Sequence, residues 1–312
     1  MEYPQSTFSM LCHPRYEVVE REVNEYFIAN WPFPDDNSRD KFLGAGFSRC
    51  TCLYFPTARD DRIHFACRLL TLLFLIDDAL ENMSFEEGAA YNGRLMPLIR
   101  GDEAPDRSVP VQYISYDLWQ SMRAHDRELA DAILEPLFIF MRAQTDKRRA
   151  RSMSLGEYLE YRDKDIGQAL LCSLMRFCLD IKLTPHELDL VQPADVNCGV
   201  HIAIINDIWS FEKEAATAAH AHDEGGVLCN GVAILSTEAA LSTASSKRVL
   251  YSICREWEDK HKQFVNELGG GYDTTLGAYL QGLEYQMSGN EAWSKMTPRY
   301  QIREKGEVVS QH

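Results

Sequence analysis

Hydrophobic residues along this chain recur at the three- and four-residue intervals of a helix, not at the two-residue interval of a strand. Residues 15–30 place Val18, Val19, Val23, Tyr26 and Phe27 along one stripe. A longer apolar stretch covers residues 61–83 and turns acidic at Asp77 and Asp78. Residues 113–147 alternate apolar and charged positions with Pro136 as the one breaker. Further helical patterns run over residues 155–182, 185–190, 195–218, 236–268 and 274–293. Thr184 followed by Pro185 has the cap-then-proline form of a helix start, and Gly269, Gly270 and Gly271 stop the helix before them. No alternating run is bounded by turn pairs, so strands are not predicted. The expectation is an all-α fold of about ten helices in a single domain spanning residues 1–312. The loops at 101–110 and 219–226 are too short to be interdomain linkers.

Composition narrows the function classes. Hydrophobic residues make up 45% and charged residues 25%, the balance of a folded protein able to bury a core and still hold a pocket. The formal charge is −15, from 47 acidic against 32 basic residues, which disfavours nucleic acid as a partner. An anionic substrate must then meet positive charge supplied locally, by metal ions or a cluster of Lys and Arg. Nine cysteines lack metal-ligand spacing, Cys50 and Cys52 being the closest pair, and they read as reduced thiols of a cytoplasmic protein. The first 19 residues lack the layout of a signal peptide, and the apolar run ending at Ile76 is too short to span a bilayer.

Two polar clusters carry the chemistry. The first is Asp77-Asp78-Ala79-Leu80-Glu81, where Asp77 and Glu81 are four residues apart and share a helix face. Carboxylates at a helix C-terminus repel one another and oppose the helix dipole, where lysine is the stabilising choice. They suit Mg²⁺, which keeps part of its water shell and bridges to phosphates. A solvated helix end is the alternative. The second cluster places Asn206, Ser210 and Glu214 at i, i+4 and i+8, drifting about 80° over two turns. An amide oxygen, a hydroxyl and a carboxylate on one stripe can chelate one hard cation. Lys213 lies about 20° from Asn206 on the same wheel. The alternative is an ordinary amphipathic face, but the mostly apolar run from His201 to Ile205 leads a buried stretch straight into the polar stripe.

D-D-x-x-E followed 129 residues later by N-D-x-x-S-x-x-x-E on a helical scaffold resembles the class I terpene cyclases, the fungal sesquiterpene cyclases above all. The likeness extends through RSVPVQYISYDLWQSMRAHDRELADAILEP, FMRAQTDK, LGEYLEYRDKDIG and NDIWSFEKE. It implies a helical bundle around a deep apolar cavity, with Asp77, Asn206, Ser210 and Glu214 as ligands of three Mg²⁺ ions. Asp78 and Glu81 would support Asp77. Arg162, Lys213, Arg299 and Tyr300 would bind the diphosphate, and Asp165 would link Arg162 to a helix break near Ile166-Gly167. Without the resemblance, Arg162 reads equally well as a surface salt bridge. Tyr54, Phe74, Phe140 and Trp293 would contour the hydrocarbon pocket and face carbocations, although each alone reads as ordinary core.

The implied substrate is farnesyl diphosphate, cyclised to a bicyclic hydrocarbon with release of diphosphate, and the related enzymes form dimers or tetramers. A head-to-tail prenyltransferase is a rival that would carry a second aspartate-rich motif in place of Asn206, Ser210 and Glu214. A non-catalytic helical scaffold is another, and diphosphate release separates it from a cyclase.

Overall fold

The computed structural model describes residues 3–221, 223–268 and 274–301. Among them are fourteen α-helices and no strand. In chain order they are α1 (Tyr16–Asn30), α2 (Asp36–Ala45), α3 (Phe47–Tyr54), α4 (Ile63–Leu80), α5 (Phe85–Arg100), α6 (Pro110–His125), α7 (Arg127–Asp131), α8 (Leu134–Ala143), α9 (Leu155–Asp165), α10 (Gln168–Leu179), α11 (Pro185–His220), α12 (Gly231–Glu238), α13 (Thr243–Leu268) and α14 (Thr275–Met296). No helix of the described residues is long and apolar enough to cross a membrane.

Two helices organise the bundle. In α4, 12 of 18 residues are buried, from Ile63 through Ile76 to Leu80, so the helix is enclosed on nearly every side. Its long apolar run makes that possible, and its acidic end emerges where the run stops. The 36-residue α11 packs against α13 and α14, and α14 in turn lies along α3. Thr184 and Glu187 form a reciprocal capping box that starts α11. The helix then continues through Pro193, where the sequence pattern predicts two separate helices. Pro193 is exposed and so is Asp189, whose carbonyl the proline deprives of a donor, so water can satisfy that group.

Elsewhere local capping divides what periodicity joins. The predicted helix over 113–147 is three helices, α6 to α8. Asp126 ends α6 and accepts the Leu129 N–H at 3.1 Å, capping α7. Pro136 lies in the first turn of α8, where its missing N–H costs no intrahelical bond. The predicted helix over 155–182 breaks at Gly167, which has φ of 75°. The one over 236–268 breaks near Ala240, at φ of 51°. Helices α2, α3 and α5 had no predicted counterpart. Helix α2 buries only Phe42 and Ala45, and α5 carries glycines and Pro97 that read as breakers, yet Ser84 and Glu87 give it a full capping box. The stop assigned to Gly269–Gly271 lies outside the described residues.

A close backbone contact between α14 and α3 fixes the wall that carries Tyr54. A Cβ on Gly289 of α14 would stand 2.4 Å from the Leu53 carbonyl oxygen, a backbone atom that cannot step aside. Gly289→Ala is expected to part α14 from α3 and cost about 1–3 kcal/mol. Urea unfolding checks it, as a lower midpoint at unchanged slope.

Candidate active site

The end of α4 delivers Asp77, Asp78 and Glu81 together, with carboxylate oxygens within 4.8 Å of one another. Each finds a partner from another element. Gln144 Nε2 donates to Asp77 Oδ1 at 3.1 Å. Arg299 forks onto both oxygens of Asp78 at 3.0 and 2.7 Å, and Lys213 Nζ reaches Glu81 at 2.7 Å. Protein packed around Asp77, and then the Glu81 carboxylate, raises its pKa to about 6, with Arg299 opposing. Arg299 also comes within 3.9 Å of Asp77, but burial and the neighbouring carboxylates outweigh it.

On α11 the stripe of Asn206, Ser210 and Glu214 stands above Ile202, which lines the same cavity. Asn206 Oδ1 accepts from Arg162 Nη2 at 2.9 Å, and its amide donates to the Tyr300 hydroxyl at 2.6 Å. Glu214 Oε2 accepts from Asn230 Nδ2 at 2.9 Å. Ser210 is 2% exposed, and its hydroxyl has no hydrogen-bond partner among the described residues. A buried hydroxyl left unpaired costs free energy, so something is needed to complete it. An amide, a hydroxyl and carboxylates are hard oxygen donors, the set that Mg²⁺-like cations take. The residues therefore fit a divalent cation.

Asp207, next to Asn206, turns the other way. It is fully buried and accepts from Tyr158 Oη at 2.6 Å, the Gly231 N–H at 2.9 Å and Arg162 at 3.2 Å. Burial lifts its pKa to about 6 against the pull of Arg162. Arg162 is also bonded to Asp165, which Arg149 reaches at 2.8 Å. One guanidinium thus ties the α9 end to the α11 stripe.

Below the charged mouth lies a cavity of about 210 Å³. Phe74 and Leu70 line it one and two turns before Asp77 on α4. Phe74 lies 5.6 Å, centroid to centroid, from Trp293, whose indole N–H is held by the Ala45 carbonyl at 3.1 Å. Tyr54 donates its hydroxyl to Asn290 at 2.8 Å. Phe140 packs on Gly167, where a Cβ would meet the ring at 3.0 Å. Glu224 and Gly225 close one side of the mouth, accepting from the Phe85 N–H at 3.1 Å and donating to the Met83 carbonyl at 3.0 Å, respectively.

Of the proposed metal, diphosphate and pocket residues, all line this cavity except Ser210, which sits buried on the same stripe, while the supporting Asp78 lies just outside it, on Arg299. Sequence reasoning missed Gln144, Arg149 and Asn230. Arg149 belongs to the basic run Lys147-Arg148-Arg149, a signal that could have raised it; Gln144 and Asn230 sit in no pattern. A second acidic cluster, His201 with Glu258 and Glu291, also comes together. Its cation is already built in, because Arg255 bonds both glutamates.

Residues 68–260 match the family model for terpene synthase family 2, C-terminal metal binding. The chain is 60% identical over 304 residues to aristolochene synthase of Aspergillus terreus, covering 97% of this chain and 95% of that one. It is 53% identical over 300 residues to aristolochene synthase of Penicillium roqueforti, covering 95% and 88%. The crystal structure of the Penicillium roqueforti enzyme superimposes with a TM-score of 0.84 at 52% identity, over 95% of this chain and all of that one. A hedycaryol synthase shares the fold at a TM-score of 0.75 and 19% identity, over 94% of this chain and all of that one. A helical bundle with a metal-binding region over both acidic motifs, matched along nearly its whole length, makes this chain a member of the terpene synthase family.

Proposed function

We propose that the chain is a Mg²⁺-dependent sesquiterpene cyclase that converts (2E,6E)-farnesyl diphosphate into aristolochene and releases diphosphate. One observation carries this reading: oxygen donors from α4 and α11 and four cations, Arg149, Arg162, Lys213 and Arg299, share the mouth of an aromatic-lined apolar cavity. The names of the relatives, aristolochene synthases at 53–60% identity, support the product.

Asp77, Asn206, Ser210 and Glu214 would hold the metal, with three ions as the count that the family resemblance implies. Bound there, Mg²⁺ supplies Lewis-acid stabilisation of the departing diphosphate. The chain's own cations do the rest of the anion binding. Arg162 is held by Asp165 and Asp207, Lys213 by Glu81 and Arg299 by Asp78, so each is already aimed at the mouth by a carboxylate. A diphosphate entering between them exchanges these contacts for phosphate oxygens, which the Arg forks can pair two at a time. The Tyr300 hydroxyl, on Asn206, adds a donor.

The apolar cavity then governs the fate of the cation. Its walls exclude water that would quench it and hold the chain folded so that the far double bond meets C1. Phe74, Phe140 and Trp293 offer aromatic faces, each worth about 1–2 kcal/mol to a desolvated cation, and no nucleophile. In the route implied by the resemblance, germacrene A forms, is reprotonated and closes to a bicyclic cation. Hydride and methyl shifts and a final proton loss then give aristolochene. The Tyr54 hydroxyl is committed to Asn290, and burial pushes its pKa up, so it is a poor source of the required proton in this arrangement.

Incubation with farnesyl diphosphate and Mg²⁺, followed by gas chromatography–mass spectrometry, tests the reading. Aristolochene as the main hydrocarbon is expected; another hydrocarbon overturns the product, and no diphosphate release overturns the cyclase. Asn206→Leu, and Ser210→Ala combined with Glu214→Ala, should each lower turnover more than about 100-fold while circular dichroism stays helical. Activity retained in Asn206→Leu would sink the ligand assignment. Gly167→Ala forces a left-handed alanine, at about 1–2 kcal/mol, and pushes the Phe140 ring. Its hydrocarbon profile should shift while diphosphate is still released, and an unchanged profile would show that Phe140 does not shape the product.

A further inference from the structure

We infer that Asn230 is a positioning residue for Glu214, holding its carboxylate in the orientation that the metal site requires. The inference rests on the proposed role of Glu214 as a ligand. Asn230 is 0% exposed and lies 16 residues beyond Glu214, at the far end of the loop that closes the mouth. Its Nδ2 donates twice, to Glu214 Oε2 at 2.9 Å and to the Asp207 backbone carbonyl at 3.1 Å. Its Oδ1 accepts the Val232 N–H at 2.9 Å, which caps α12. One amide group therefore uses two donors and an acceptor at once, leaving it no freedom to turn.

The rest of the junction is equally constrained. Gly231, the next residue, donates its N–H to Asp207 Oδ2 at 2.9 Å, so the start of α12 is fastened to α11 at Asp207 from two sides. Asp207 and Glu214 are two turns apart on α11, and Asn230 spans from the backbone of one to the side chain of the other. A glutamate side chain has three rotatable bonds, and a ligand that must be frozen on binding loses affinity. Held by one oxygen through Asn230, Glu214 keeps its second oxygen for another partner. Outer groups that orient a ligand in this way change metal affinity by roughly 10–100-fold when removed.

Asn230→Asp separates this role from plain helix capping. Aspartate is as good an N-cap as asparagine, so α12 stays capped, but it replaces the donor facing Glu214 by a second carboxylate. Asn230→Ser is the second variant: its hydroxyl can cap α12 and is too short to reach Glu214. Mn²⁺ would be titrated at pH 8 in the presence of inorganic diphosphate and followed by electron paramagnetic resonance, with thermal melting in parallel. Both variants should bind Mn²⁺ about 10–100-fold more weakly than the parent. Asn230→Ser should melt within a few degrees of it, and Asn230→Asp, which buries a carboxylate against Glu214 and the Asp207 carbonyl, should melt lower. Parent-like Mn²⁺ affinity in a folded variant overturns the inference. Glu214→Gln in the same titration separates the two levels: if it binds Mn²⁺ like the parent, the role of Glu214 fails. If it binds weakly and the Asn230 variants do not, only the role of Asn230 fails.

Discussion

Three carboxylates stand at the C-terminal end of α4, a long helix with two-thirds of its residues buried, where both mutual repulsion and the helix dipole work against them. Much of the surrounding structure answers that imbalance. Arg299 arrives from the short turn after α14, Lys213 from α11 and Gln144 from the end of α8, and each takes one of the three acids. Asp78 and Glu81 are paired directly, whereas Asp77 has only an amide donor and a more distant Arg299, and burial keeps its pKa raised. Across the mouth, the Ser210 hydroxyl has no partner. Clustered carboxylates on one side and an unpaired buried hydroxyl on the other are hard oxygen donors facing one mouth, and the chain belongs to a family with a metal-binding region.

The cations of the mouth are fixed by the same logic. None of Arg162, Lys213 and Arg299 is free; each is aimed by a carboxylate that belongs to, or adjoins, one of the two motifs. An anionic substrate therefore meets a preorganised set of donors and does not have to recruit side chains from solvent. In a protein with a net charge of −15, positive charge is concentrated at this mouth, where the chain's own acids hold it. Below that layer the walls change to Leu70, Phe74, Phe140, Ile202 and Trp293. The division between polar mouth and apolar floor follows α4 itself, whose residues change from apolar to acidic at Asp77.

Much of this was legible in the order of residues. The helical period, the buried α4 and the i, i+4, i+8 stripe at Asn206, Ser210 and Glu214 are local patterns, and local geometry carries them directly into the structure. Boundaries were less legible. Pro193 reads as a breaker but lies on an exposed face where water completes the backbone, whereas Asp126 reads as one more charged residue and ends a helix through its side chain. Helix α5 was hidden because its glycines and Pro97 obscure a capping box that alone announces its start.

The sequence by itself determined the all-helical class, the two acidic motifs and the kinds of side chain available for metal and diphosphate, since these depend on spacing within single helices. Only the tertiary structure decided which residues those motifs meet. Asn230 meets Glu214 from a loop 16 residues away, Arg149 shares Asp165 with Arg162, and Arg299 closes on Asp78 across 221 positions. Such pairs carry no periodicity. They form because the helices bring their ends to one mouth, where buried charges and unpaired hydrogen-bonding groups are too costly to leave without partners.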